Sequence, residues 1–573
     1  MPKSTSGIRG GLTDYGDPLF AAYLRSSFAK SMGYSRSMLE RPVIGITWTA
    51  SGFNNCHRGV PELVEAAKRG VLAAGGLPLD FPVISLGEAF VAPTTMMFRN
   101  LMAIDVEEMI RAQPMDGVVL VGGCDKTLPA LVMGAASAGK PAIVLATGPM
   151  MASRNRGERL GACTDCRRFW GKYRAGEIDD REIDKIEGSL ATTEGTCAVM
   201  GTASSMAIIL EVMGLMLPGT AAIPAVHADR LRAAEATGMA IMDIAGAGRT
   251  IRDFVTQATI DNGLKALLAI GGSTNAIVHL AAIAGRLGLK FDLRALNQAS
   301  DSTPVLVDLK PTGRGYMEDF FYAGGVGALL KHLGPMLDMS AGTVTGGKLG
   351  DFLPPEDDWI DRQVIRAVTE PIRDVGGLIA LFGSLAPNGA VLKRGAASEA
   401  LFEKTARALV FDNITDLARR IDDPTLEVDA DDALVLKNAG PQAAGMPEAG
   451  YLPIPAKLAR QGVKDMLRIS DARMSGTSYG ACILHVAPES FVGGPLAFVQ
   501  TGDEIEVDVA ARRIHLHVSD DVLAWRRAAW THPAPRYPRG YGALYSEHIG
   551  QADEGCDFDF LKAGAPTPEP EIH

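Results

Sequence analysis

The chain has 573 residues, of which 47% are hydrophobic and 21% charged, and its formal net charge is −11. That length exceeds one ordinary core, so two or three domains are expected. The composition excludes a mainly disordered chain, and the acidic balance, with Lys and Arg scattered, excludes a basic nucleic-acid footprint.

The opening MPKSTSGIRGGLTDYGDP lacks an apolar core of the secretory kind, so a cytoplasmic location is expected. The apolar stretch 264–285 is broken by Lys265, Ser273, Asn275 and His279, well short of the roughly 20 apolar residues of a membrane span. Seven cysteines, at 56, 124, 163, 166, 197, 482 and 556, are an odd number. Reduced thiols, some of them metal ligands, fit better than a disulfide framework.

In chain order, PVIGITWTA (42–50) is β-branched and apolar and predicts a strand. Residues 60–75 predict a helix that ends at Gly75-Gly76. Strands follow at 77–85 and 118–123, a helix at 128–138 with Pro129 in its first turn, and a strand at 141–148. Strands alternating with helices of this length mean βαβ units and a parallel sheet. The expected first domain, 1–370, is therefore α/β with helices flanking the sheet. The charged segment 354–363 predicts a connection. Beyond it, 377–383, 407–412 and 432–440 predict short strands, and 503–518 alternates as a hairpin through Ile505, Val507, Val509, Ile514, Leu516 and Val518. A β-rich second domain, 375–573, is expected, with GAPTPEPEIH as an extended tail.

Three cysteines share a setting. Cys56 in NNCHRG and Cys124 in GGCDKT each lie between a strand and a helix, and Cys197 in EGTCAVMGTASS opens an apolar helical run. Loops at the carboxyl ends of parallel strands gather on one edge, where ligands bind. A helix N-terminus favours a thiolate. Three thiolates without a fourth suit an iron–sulfur cluster with one open iron, although each cysteine taken singly would also serve as inert packing. Cys163-x-x-Cys166 could be a redox pair or half a zinc site, yet no second such pair accompanies it. Cys482 and Cys556 read as packing or surface thiols. GAASAGK (134–140) resembles a phosphate loop, but Pro141 follows the lysine and the segment runs from helix to strand, so it is rejected. Asp125 and Lys126 follow Cys124; the carboxylate suits a hard cation such as Mg²⁺, or equally a helix cap. Glu88 and Glu448 taken alone read as solvated acids. Ser475 lies in SDARMSGTSYG, where Arg473 breaks the pattern of a nucleophile elbow. GGSTNAIVHL (271–280) suits capping or substrate hydroxyls.

Together NNCHRG, GGCDKT, EGTCAVMGTASSM, GGSTNAIVHL, GMPEAG and SDARMSGTSYG, in this order over about 40–560, resemble the dihydroxy-acid/phosphogluconate dehydratase family. PTTMMFRNL, QPMDG and FFYAGG are similar to its sugar-acid (aldonate) branch, typified by L-arabinonate dehydratases. The resemblance implies a [2Fe–2S] cluster on Cys56, Cys124 and Cys197; three cysteines would also suit a [4Fe–4S] cluster. It implies Mg²⁺ on Glu88, Asp125, Lys126 and Glu448, with Lys126 carbamylated, since an ammonium cannot ligate a cation whereas a carbamate can. It implies Ser475 as the base and Thr477 beside the leaving hydroxyl. It further implies an α/β domain plus a β-barrel-like domain with the site between them, a small-molecule substrate and a dimer or tetramer. Two functions follow as expectations: conversion of a sugar acid to a 2-keto-3-deoxy acid, or the dihydroxy-acid dehydration of branched-chain amino-acid synthesis. Cys163 and Cys166 have no place in the family pattern. The terminal His573 could reach a substrate or belong to a disordered tail.

Overall fold

The structure, a computed structural model, describes residues 6–10, 17–562 and 566. His573 and nearly all of the 564–573 tail lie outside the described residues. No helix among the described residues is long and apolar enough to cross a membrane.

The first half is built around four parallel strands: β1 (Val43–Trp48), β2 (Leu77–Pro82), β3 (Gly117–Gly122) and β4 (Ala142–Ala146). Their order is β2-β1-β3-β4. β3 and β4 are buried along their whole length, as expected where helices cover both faces of a parallel sheet. The covering helices include α1 (Val60–Ala73), α2 (Thr95–Ala112) and α3 (Thr127–Ala138). α3 ends at Gly139, whose left-handed φ of 67° closes the last turn. Further along come α4 (Thr164–Ala175), α5 (Thr202–Val212), α6 (Ala228–Gly246) and α7 (Asn275–Arg286). α5 and α7 are apolar almost all round and buried, the signature of a central helix rather than a surface one.

The second half forms one eight-stranded sheet. Its strands are β5 (Ile379–Leu381), β6 (Gly389–Leu392), β7 (Glu403–Phe411), β8 (Ala433–Leu436), β9 (Leu467–Ser470), β10 (Cys482–Ala487), β11 (Glu504–Asp508) and β12 (Arg513–His517). The order is β12-β11-β7-β8-β9-β10-β6-β5. The two ends of the sheet meet: Phe382, just past β5, bridges Arg513 of β12, with Phe382 N–H donating to the Arg512 carbonyl and Ile514 N–H to the Phe382 carbonyl, both at 2.9 Å. This nearly closed, barrel-like form removes the exposed edges of an open sheet. Gly383 permits the closure, because a Cβ there would stand 2.0 Å from the Ile514 carbonyl oxygen.

Strand alternation separates two apolar layers. Ala433 and Val435 join Ile469, Ile483, Ile505 and Leu516 inside the barrel, while Leu434 and Leu436 pack outward with Phe411 and Leu417. Leu378, Ala380 and Val391 belong instead to the core of the first half. The wall of β5 and β6 therefore joins the barrel to the α/β layer. β7 through β10 are mutually parallel, so the loops after β8 and β9 leave at the same end.

Candidate active site

The carboxyl edge of the first sheet collects the predicted ligands. Cys56 follows β1, Glu88 follows β2, and Cys124, Asp125 and Lys126 follow β3. Cys197 comes from much later in the chain. It is drawn to this edge by a short bridge between Pro149 and Thr196: Thr196 N–H donates to the Gly148 carbonyl at 3.0 Å and Met150 N–H to the Thr196 carbonyl at 2.8 Å. His57 holds the loops after β1 and β3 together. Its Nε2 accepts the Gly123 and Cys124 amides at 3.0 and 3.1 Å, and its Nδ1 donates to the Thr49 carbonyl at 2.9 Å. Burial lowers its pKa to about 4, so the ring is neutral and its tautomer is set by these bonds.

Cys56, Cys124 and Cys197 lie within electrostatic reach of one another. The expected thiolate character is corrected here. Neighbouring thiols and burial push Cys56 and Cys197 well above the ordinary thiol range. The helix-terminus argument fails for Cys197 because α5 starts five residues later, at Thr202. Such a set releases protons only when a cation takes their place. Among the described residues, only Glu88, Asp125 and Glu448 bring three ligand atoms of His, Cys, Asp or Glu within 4.8 Å of one another. A single tetrahedral ion would hold sulfurs about 3.8 Å apart. The wider spread of the three sulfurs suits a centre with more than one metal atom.

The expected oxygen ligands form the second part of the site. Asp125 does not cap the following helix; Lys126 occupies the N-cap position without a side-chain cap, and its buried ammonium bonds Asp125 and, at 2.9 Å, Glu88. Glu448 comes from the barrel, in the loop between β8 and β9. Arg473, fully buried just after β9, donates to Glu448 Oε1 and Glu88 Oε1, both at 2.8 Å, and to Thr94 Oγ1 at 2.8 Å. Burial favours the protonated form of Glu88, but Arg473 and Lys126 outweigh it and hold this acid well below the carboxylate range. For Glu448 burial wins, with Glu88 adding to it, and its pKa is raised. Three carboxyl groups gathered around an ammonium and a guanidinium are a donor set suited to a hard cation.

Ser475 and Thr477 follow in the same loop. Ser475 Oγ and Thr477 Oγ1 are 2.8 Å apart, and Arg167 of α4 donates to Thr477 Oγ1 at 3.0 Å. Three carbonyls of this loop are pinned by separate segments. Asn275 takes Met474, Lys393 takes Gly476 at 3.4 Å, and Thr164 takes Thr477 at 2.8 Å. Gly476 is required, since a Cβ would stand 2.5 Å from Ser273 Oγ and 2.7 Å from the Thr202 nitrogen. The GGSTN turn thus supports the Ser475 loop. Arg167 links the parts: it also donates to the Cys163 carbonyl at 3.1 Å and lies 3.7 Å from Glu448. Cys163 Sγ lies 3.1 Å from Cys197 Sγ, whereas Cys166 is exposed. Cys482 and Cys556 are buried in packing.

Arg473, Arg167, His57 and Thr164 were not singled out by sequence reasoning. Arg473 had one visible trace, as the residue that spoils the nucleophile-elbow pattern.

Comparison with known proteins finds matches along most of the chain. The model of the dihydroxy-acid/6-phosphogluconate dehydratase N-terminal domain matches residues 41–352, and that of the C-terminal domain matches residues 363–556. The chain is 47% identical to a 6-deoxy-6-sulfo-D-gluconate dehydratase of Pseudomonas putida and 44% identical to an L-arabinonate dehydratase of Rhizobium leguminosarum bv. trifolii, in each case over 93% of both chains. It is 36% identical to a dihydroxy-acid dehydratase of Syntrophobacter fumaroxidans, over 92% of this chain and 96% of the relative.

Removing one partner of a buried ion pair leaves uncompensated charge. Arg473→Met is expected to destabilise the metal-free protein by about 3–5 kcal/mol, read as a lowered denaturation midpoint in urea. Arg473→Lys should recover less than half of that loss, because a point charge cannot reproduce the two-armed bridge. Wild-type stability in Arg473→Met would contradict this account of the site.

Proposed function

Because the chain belongs to the dihydroxy-acid/6-phosphogluconate dehydratase family, we propose that it dehydrates a sugar acid to a 2-keto-3-deoxy acid. The observation that carries this reading is the meeting, at one junction, of three thiols and Glu88 from the first half with Glu448 and Ser475 from the second. On this reading a 1–370 domain supplies Cys56, Cys124 and Cys197 for an iron–sulfur cluster, with [2Fe–2S] preferred. The same domain supplies Glu88, Asp125 and Lys126 for Mg²⁺, and a 375–573 domain adds Glu448 and Ser475. Lys126 enters the metal set as a carbamate, which turns a cation into an oxygen donor. When bound, the two inorganic groups supply Lewis acidity to the leaving hydroxyl and to developing oxygen anions.

The protein's own groups do the rest. Ser475 Oγ takes the proton from C2 of the substrate. A free serine hydroxyl is too weak a base, so positive charge must stabilise its alkoxide. Thr477 provides a path for that stabilisation: its Oγ1 accepts from the Arg167 guanidinium at 3.0 Å and lies 2.8 Å from Ser475 Oγ, to whose alkoxide it would donate its own proton. Asn275, Lys393 and Thr164 hold the loop's carbonyls and so keep Ser475 in register. Thr477 sits beside the departing C3 hydroxyl.

The aldonate reading is preferred over a short-chain dihydroxy acid because the relatives named as sugar-acid dehydratases are 44–47% identical, against 36% for the dihydroxy-acid dehydratase.

Side-by-side turnover of L-arabinonate, 6-deoxy-6-sulfo-D-gluconate and 2,3-dihydroxyisovalerate checks the substrate class. At least one aldonate is expected to exceed the dihydroxy acid by about 100-fold or more in kcat/KM; the reverse order would establish the branched-chain activity instead. Ser475→Ala is expected to lower kcat by about 10²–10⁴-fold with little change in KM. Undiminished dehydration by this variant would remove Ser475 from the role of base.

A further inference from the structure

Cys163 stands apart from the three thiols assigned above, yet its sulfur lies 3.1 Å from that of Cys197. The backbone at Cys163 is unusual. It has φ 74° and ψ −59°, and the Thr164 N–H donates across it to the Ala162 carbonyl at 3.1 Å. These are the marks of a γ-turn of the strained, positive-φ kind, in which a residue with a side chain is rare. Such strain persists only where the surroundings over-determine it.

Here they do. Asp165, buried two residues on, accepts from Gly161 N–H at 2.8 Å, Lys310 Nζ at 3.0 Å and Arg168 Nε at 3.0 Å. Arg167 clamps the Cys163 carbonyl, and Thr164 is tied to the Ser475 loop. The turn is thus fixed from both sides, and it presents the Cys163 side chain to Cys197. Both cysteines pack in one small cluster with Met150, Ala162, Val199 and Tyr316. Cys166, the other member of the C-x-x-C pair, is exposed.

We propose that Cys163 and Cys197 form a reversible disulfide in the metal-free protein. An S–S bond is about 2.05 Å long, so the sulfurs need to close by only about 1 Å. The oxidant is a small-molecule disulfide of the glutathione type. One protein thiol loses its proton and attacks a sulfur of that disulfide, which forms a mixed disulfide and expels one small thiolate. The second protein thiol, also deprotonated, attacks the protein sulfur of the mixed disulfide and expels the other. Two protein thiols are oxidised, one small disulfide is reduced to two thiols, and the two protons end on those thiols. The bond would withdraw Cys197 from the three-thiol set, a consequence that rests on the reading of Cys197 as a cluster ligand; the bond itself does not.

The test uses the full-length chain, stripped of metal by anaerobic chelation, incubated with glutathione disulfide, alkylated and digested without reduction. Mass spectrometry is expected to find a crosslink between the peptides carrying Cys163 and Cys197, with two of the seven thiols protected and dithiothreitol restoring both. Cys166→Ser should keep the crosslink, and Cys163→Ser should leave Cys197 alkylated. A crosslink between Cys163 and Cys166 or between Cys56 and Cys124, or full alkylation of Cys163 and Cys197, would overturn the proposal. If the crosslink forms but the reduced protein takes up no iron and sulfide on reconstitution, the disulfide stands and the ligand role of Cys197 falls.

Discussion

One buried guanidinium organises this site. Arg473 is fully enclosed and meets Glu88 from the α/β half and Glu448 from the barrel, each at 2.8 Å. Charges out of water are tolerated only when paired and hydrogen-bonded. Three groups from distant parts of the chain are therefore held to one place by charge balance, and Ser475 follows Arg473 by two residues. The position of the proposed base relative to the acids is thus a consequence of neutralising them.

Around that pairing the chemistry divides by element. Cys56 and Cys124 lie on loops that leave the carboxyl edge of the parallel sheet, Glu88 with Asp125 leaves the same edge, and Cys197 is drawn to it from later in the chain. The barrel adds one acid and two hydroxyls through the loops after β8 and β9, which emerge together because β7 through β10 run parallel. Soft donors and hard donors are set next to each other without being mixed. Arg167 lies between them and touches Thr477, Glu448 and the turn at Cys163.

Much of this was legible in the sequence, because periodicity and chemistry are local properties. The alternation of Ile505, Val507, Ile514 and Leu516 identified a hairpin, and the β-branched run at 43–48 a strand. Cysteines beside glycines after strands pointed to one edge of a sheet. Residues that act across the fold left no such mark. Arg473 and Arg167 look like any other arginine until the acids they neutralise are brought to them from far along the chain. His57 gains its role from two amides of the loop after β3. The thiolate argument failed at Cys197 because the helix begins later than its apolar run suggests. A neighbouring thiol and burial then raise Cys56 and Cys197. Nor could the sequence reveal that Cys163, in a strained turn, faces Cys197 rather than its own C-x-x-C partner.

The central claim is that Cys56, Cys124 and Cys197 act as one set on a metal centre of more than one atom. Iron and acid-labile sulfide in anaerobically purified protein, read with its visible absorption, test this most directly. The account predicts iron and sulfide in equal amounts with charge-transfer bands of thiolate-bound iron, both lost in Cys124→Ser. Zinc in place of iron, or a Cys124→Ser protein with unchanged iron, sulfide and spectrum, would contradict it.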